Sequence, residues 1–168
     1  MFHSYENKKI MKVQKIEIER IREERTKEKN KAEEEIEKIR EEVREENEIY
    51  INNQTINIKL QKIIDCLIRI ESNGNVNAVG DDGKAVGILQ IHPCTVSDVN
   101  RIIGKKKYTL NDRKNKKKSV EMAHIYLSHY TTNDWSPEDI SKIWNGGPNG
   151  HKKRATEKYA QRFSEIYN

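Results

Sequence analysis

The sequence predicts a mainly α domain with one small β-hairpin, preceded by a long charged helix. Three observations carry that prediction. Residues 8–48 are dense in Lys, Glu and Arg and hold neither Gly nor Pro, a composition of high helix propensity. From residue 58 onward apolar residues return at helical spacing in several separate stretches, as expected of helices that each bury one face. Between Val76 and Gln90 the pattern changes, and Asp82-Gly83 sits between short β-prone pieces, a tight-hairpin signal.

The segments follow in order. Residues 1–50 form a charged helical arm, 51–57 (INNQTIN) a polar linker, and 58–168 the globular domain. In the arm, acidic and basic residues recur at helical spacing, which supports an exposed helix. Its apolar residues are sparse: Ile10, Val13, Ile16, Ile18 and Ile21, then Ile36, Ile39 and Val43. The last three fit an a-d-a seam, but the same register carried backward meets Ala32, then Lys29, Arg25 and Arg22. A sustained coiled coil needs three or four unbroken heptads. Two readings stand: a solvated or partly disordered helix, and an arm that self-associates or docks on a larger assembly such as a virion.

In the domain, Leu60, Ile63, Ile64, Leu67, Ile68 and Ile70 mark the first helix. Thr95 and Asp98 resemble a capping box ahead of VSDVNRII, with Gly104 as its stop. KKKYTLNDRKNKKK reads as a basic loop. Residues 118–130 form a helix with Val120, Ala123, Tyr126 and Leu127 on one side. Ser136-Pro137-Glu138-Asp139 starts another, with a cap, a proline at the first helical position and acids at the positive dipole end. It runs to Trp144, where WNGGPNG breaks it. Residues 153–167 form the last helix, with Ala155, Tyr159, Phe163 and Ile166 in line.

The totals narrow the function. The 168 residues carry a formal net charge of +5 and a pI near 9.1, which favours a polyanionic partner: nucleic acid, an anionic wall or a membrane surface. No run approaches the ~18 apolar residues of a membrane span. MFHSYENKKIMKVQKIEIER lacks the apolar centre of a secretory signal, so the expectation is a chain that reaches its target by another route. Cys66 and Cys94 are the two cysteines. They match no metal or redox spacing; they read as two buried or inert thiols, with a disulfide as the alternative. No cofactor and no metal is expected.

One carboxylate stands out. Glu71 follows Leu67 by four residues, Ile64 by seven and Leu60 by eleven, so it continues the buried stripe into the last turn of its helix. Partial burial and the negative end of the helix dipole both disfavour its ionised form. A carboxyl kept protonated near neutral pH can serve as a general acid; the same position also suits an ordinary solvent-facing glutamate. The segment after it offers Asn73, Asn75, Asn77 and Gln90 among four glycines. Amides on a close-packed path suit hydroxyl- and acetamido-bearing ligands such as sugars, or merely serve the turns.

ESNGNVNAVGDDGKAVGILQIHP resembles the signature of the lytic transglycosylases of the soluble lysozyme-like superfamily, which also holds goose-type lysozyme. Glu71-Ser72, Asn75, Asn77-Ala78, Gly83, Ala85, Gly87, Gln90 and Pro93 fall on its pattern. Ser119-Val120, Ala123 and Tyr126-Leu127 resemble the family's next helix, Trp144-Asn145-Gly146-Gly147-Pro148 its Tyr-Asn-Ala-Gly-Pro, and Thr156 with Tyr159 its last motif. The resemblance covers about 58–167 and implies a lysozyme-like fold. Ser119, Ala123 and Leu89 depart from the usual Asn, Gly and Met. Asp81-Asp82-Gly83 is closer to the goose-type loop, but His92 stands where that type has its next acid.

The resemblance implies cleavage of the β-1,4 bond between N-acetylmuramic acid and N-acetylglucosamine in peptidoglycan, with Glu71 as acid and then base and 1,6-anhydromuramic ends as product. It implies that Ser72 touches the glycan and sets Glu71, that Gln90 and Asn145 hold polar sugar groups, and that Tyr159 places its hydroxyl near Glu71. Asp81 or Asp82 would position a water if the enzyme hydrolyses like a goose-type lysozyme. The resemblance puts the site of action at the bacterial cell wall, virion-borne or released at lysis. Two readings of another class stand beside it: a basic nucleic-acid-binding protein, using KKKYTLNDRKNKKK and HKKRATEK against phosphates, and a glycan-binding module without turnover. An intact Glu71 and Tyr159 argue against the second, and a basic surface suits an anionic wall as well as it suits nucleic acid.

Overall fold

The computed structural model describes the backbone of residues 2–132 and 134–168 and the side chains from Ile10 onward, Asn133 excepted; Met1 of the predicted arm lies outside the described residues. Among these are five α-helices and one two-stranded antiparallel sheet. The order is α1 (Phe2–Ser72), β1 (Val79–Gly80), β2 (Ala85–Val86), α2 (Pro93–Ile102), α3 (Lys116–Tyr130), α4 (Pro137–Gly146) and α5 (Glu157–Tyr167). The fold is mainly α with a small hairpin, as the hydrophobic periodicity predicts. The chain divides into two units, Met1–Asn52 and Asn53–Asn168.

In the first unit every described side chain is exposed. Ion pairs one turn apart line the helix, among them Arg20 with Glu17, Lys29 with Glu33, Arg40 with Glu37 and Arg44 with Glu41. Each contributes only ~0.3–0.5 kcal/mol, so propensity is the larger support. The polar run 51–57, marked as a linker by its loss of charge, is helical throughout. Asn, Gln, Thr and Ile each cost a helix well under ~1 kcal/mol, and no Gly or Pro is there to stop it.

The second unit has one core. Ile63, Ile64 and Leu67 of α1 are fully buried, with Leu60 nearly so, against Ile88, Leu89, Val99, Met122, Leu127, Ile143 and Phe163. Burial of each such side chain is worth ~1.5–3 kcal/mol, which anchors the C-terminal turns of α1 and the residues at their end. Cys66 is buried and Cys94 exposed, and both are free thiols.

The hairpin pairs Val79 with Val86 and Gly80 with Ala85. A 3-10 turn, Asp81–Gly83, bridges it rather than a two-residue Asp-Gly turn. Asp81 and Asp82 both have left-handed backbone, φ 48° and 53°, a conformation that Asp tolerates better than most residues.

Two boundaries differ from expectation. α2 begins at Pro93 with His92 as its cap, so Thr95 lies inside the first turn and closes no capping box. Proline at the first helical position fixes φ and has no N–H to satisfy, which sets the start ahead of Thr95. α5 begins at Glu157, four residues after the expected start, because 150–156 form two 3-10 turns tied by Thr156 Oγ1 donating to the Gly150 and Lys153 carbonyls. α4 begins as predicted, with Ser136 accepting from the Asp139 N–H at 3.1 Å.

The basic loop is a strut. Tyr108 and Arg113 within it are buried. Arg113 donates through Nη1 to the Lys84 and Ile91 carbonyls at 2.8 and 3.0 Å, and through Nε to Leu110 at 2.8 Å. Its own carbonyl accepts from buried Ser119 at 2.8 Å. The loop thereby clamps the segment 84–91, and Arg113 is spent on carbonyls rather than left for phosphates.

Candidate active site

Glu71 is the penultimate residue of α1, half-buried at the end of the apolar stripe. The helix stops at once: Asn73 takes φ 52° and Gly74 φ 82°, which turns the chain away and leaves the carboxyl at the rim of the core. Tyr159 of α5 donates its hydroxyl to Glu71 Oε1 at 2.6 Å, and Trp144 of α4 donates Nε1 to the same oxygen at 3.2 Å. Trp144 is held edge-on against Tyr126 of α3, with ring centroids 5.9 Å apart.

Burial raises the Glu71 carboxyl above the ordinary glutamate range, against the pull of Tyr159, Trp144, Arg162 and His92. Burial and the adjacent carboxylate also push the Tyr159 phenol far above its usual value, so it stays a donor. The arrangement favours the protonated form of Glu71 and fixes one of its oxygens by a hydrogen bond.

A cleft of about 640 Å³ opens over this pair. Glu71, Asp81, Gln90, Asn145 and Tyr159 all line it, together with His92, Tyr126, Trp144 and Arg162. Gln90 is held at φ 46° with its Nε2 donating to the Gly87 carbonyl at 2.9 Å, and a side chain at Gly80 would collide with Gln90 Oε1. Also lining the cleft, His92 Nε2 lies 3.0 Å from Asp81 Oδ2. The cleft shares Cys94, Thr95, Tyr126 and Gly147 with a second depression of about 600 Å³ that adds Ser97, Asp98, Arg101 and Pro148. A more open depression of about 1150 Å³ contains none of the predicted site residues.

The description of one family fits this chain: the transglycosylase SLT domain, matched over residues 49–167. The chain belongs to the SLT transglycosylase family. No curated protein and no solved structure matches it. The SLT domain makes this a peptidoglycan enzyme of the lytic transglycosylase type. No helix among the described residues is long and apolar enough to cross a membrane.

Five of the seven residues singled out in the sequence thus meet in the SLT cleft. Ser72 and Asp82 do not line it. Ser72 instead donates to the Ile88 carbonyl at 2.8 Å, tying the end of α1 to the loop that carries Gln90. Asp82 is exposed at the tip of the hairpin. Sequence reasoning missed Trp144 and Arg162. Arg162 was findable, three residues after Tyr159 and so on the same helical face. No sequence signal shows that the Trp144 indole reaches a carboxylate 73 residues earlier.

Proposed function

We propose that this enzyme cleaves the β-1,4 bond between N-acetylmuramic acid and N-acetylglucosamine with Glu71 as general acid and then general base, leaving 1,6-anhydromuramic ends. Protonated Glu71 gives its proton to the bridging oxygen as the C1–O bond breaks, and positive charge develops on the muramic ring. The substrate's own acetamido oxygen shields C1, so no second carboxylate is required. Glu71, now ionised, takes the proton of the C6 hydroxyl while that oxygen bonds to C1. No water is consumed. Tyr159 and Trp144 hold the carboxyl in place through both steps, and Gln90 and Asn145 bind polar groups of the sugars.

The observation that carries this reading is the half-buried carboxyl at the floor of a polar cleft, with a phenol 2.6 Å from one oxygen. The adjoining depression supports a substrate that continues past the cleaved bond, as a glycan strand does. The site of action that follows is the bacterial cell wall.

The Asp81–His92 pair favours a second reading, hydrolysis. A water held by the free oxygen of Asp81 would attack C1 in place of the C6 hydroxyl. Mass spectrometry of the soluble products of purified peptidoglycan separates the two: anhydro ends are expected, and reducing ends would replace the first reading with the second. An absence of products would overturn both.

A further inference from the structure

We propose that the arm is a dimerisation element that binds the arm of a second copy of this chain in antiparallel orientation. On a helix of 3.6 residues per turn, residues 11 apart nearly overlay. Ile10, Ile21, Ala32 and Val43 are spaced by that interval, and Ile18, Ile36, Ile39 and Tyr50 fall beside them on the same line. Most of the apolar residues that read as sparse against a heptad, Val13 and Ile16 excepted, therefore form one stripe. All its large members are exposed, from 40% at Ile21 to 63% at Tyr50. Most of the remaining surface is charged, with Val13, Ile16 and Ile49 scattered off the line, so this stripe is the arm's one continuous apolar face.

Charge says what covers it. Residues 10–31 hold eight Lys or Arg and five Glu, whereas residues 32–52 hold three and nine. A parallel partner would set the basic half on the basic half and the acidic half on the acidic half. An antiparallel copy sets each basic half against an acidic one, twice over, in a closed two-fold pair.

The stripe agrees with that orientation. Reversing a second arm about residues 30–31 brings Ile18 opposite Val43 and sets Ile21 within one residue of Ile39. The polar break in the stripe is also answered. Arg25 comes opposite Ile36, flanked by Glu33, Glu34, Glu35 and Glu37, and Lys29 comes opposite Ala32, whose small side chain lets the lysine stem pass to solvent. In a parallel pair Arg25 would meet Arg25 and Lys29 would meet Lys29. The stripe from Ile10 to Tyr50 is about 60 Å long, enough for several turns of contact.

The test uses the full chain with Cys94→Ser to remove the exposed thiol. Sedimentation is expected to give a dimer whose association constant falls at least ~10-fold between ~0.05 and ~0.5 M salt, because the complementary charges are screened. Ile21→Asp with Ile39→Asp is expected to weaken the dimer about 100-fold while circular dichroism keeps its helical signal, since two charges then face the seam. Orientation is read by mixing an Ile18→Cys chain with a Val43→Cys chain under mild oxidation. A disulfide between the two different chains is expected. A monomer at all concentrations, or disulfides only within like pairs, would overturn the proposal.

Discussion

The Glu71 carboxyl sits above the ordinary glutamate range because burial outweighs four opposing influences: the Tyr159 hydroxyl, the Trp144 indole, and the charges of Arg162 and His92. The sign of each gives a measurement. The proposed mechanism needs the protonated form, so the rate should fall as pH rises through a value above the ordinary glutamate range. Tyr159→Phe removes the strongest opposing donor, so in a pH–rate profile that descending limb should move to higher pH while kcat drops. Glu71→Gln should lower wall-clearing activity ~10²–10⁴-fold with unchanged circular dichroism; clearing at the native rate would remove Glu71 from the mechanism. Stability follows the same linkage. A carboxyl whose folded pKa is raised contributes fully below its unfolded pKa and loses that contribution as pH climbs through the folded one. The Glu71→Gln chain should therefore gain Tm relative to the native chain as pH is raised across that window.

At the scale of elements, the hairpin and the loop behind it owe their position to a few groups. Gly87 has φ 83°, and a Cβ there would overlap the Arg113 carbonyl oxygen. Gly87→Ala should cost at least ~2 kcal/mol in a denaturant melt. Arg113→Met removes the guanidinium from the Lys84 carbonyl and leaves the Ile91 carbonyl with the Val86 N–H alone, and should cost ~2–4 kcal/mol while freeing the strand that leads to Gln90. Elements were legible where a local rule had no competitor. Ser136-Pro137 placed the start of α4 because cap and proline agree. Thr95 and Asp98 misled because Pro93 outranks them and because Asp98 is taken by Tyr130 at 2.6 Å and Arg101 at 2.7 Å. The polar run 51–57 misled because losing charge does not stop a helix. Arg113 was unreadable, since nothing local separates one buried arginine from the exposed lysines around it.

Across the whole molecule the charge is uneven. Residues 53–168 hold nineteen Lys or Arg and twelve Asp or Glu, so the unit with the cleft is more basic than the full chain. Its binding to anionic cell wall should weaken as salt is raised to ~0.5 M, where screening shortens to a few Å; a pull-down on purified walls would measure it. Glu71 was legible as a site because its stripe, its helix end and the family motif converge, and Tyr159 because the motif names it. Trp144 as a second donor depends on how α4 packs, which a one-dimensional pattern does not encode. Glu71 is made early, and its two hydrogen-bond partners follow 73 and 88 residues later. A nascent chain that has passed Glu71 but not Tyr159 has no assembled cleft, so the capacity to cut wall material arrives only once α5 has left the ribosome and docked. A partly translated chain therefore carries no such activity during elongation.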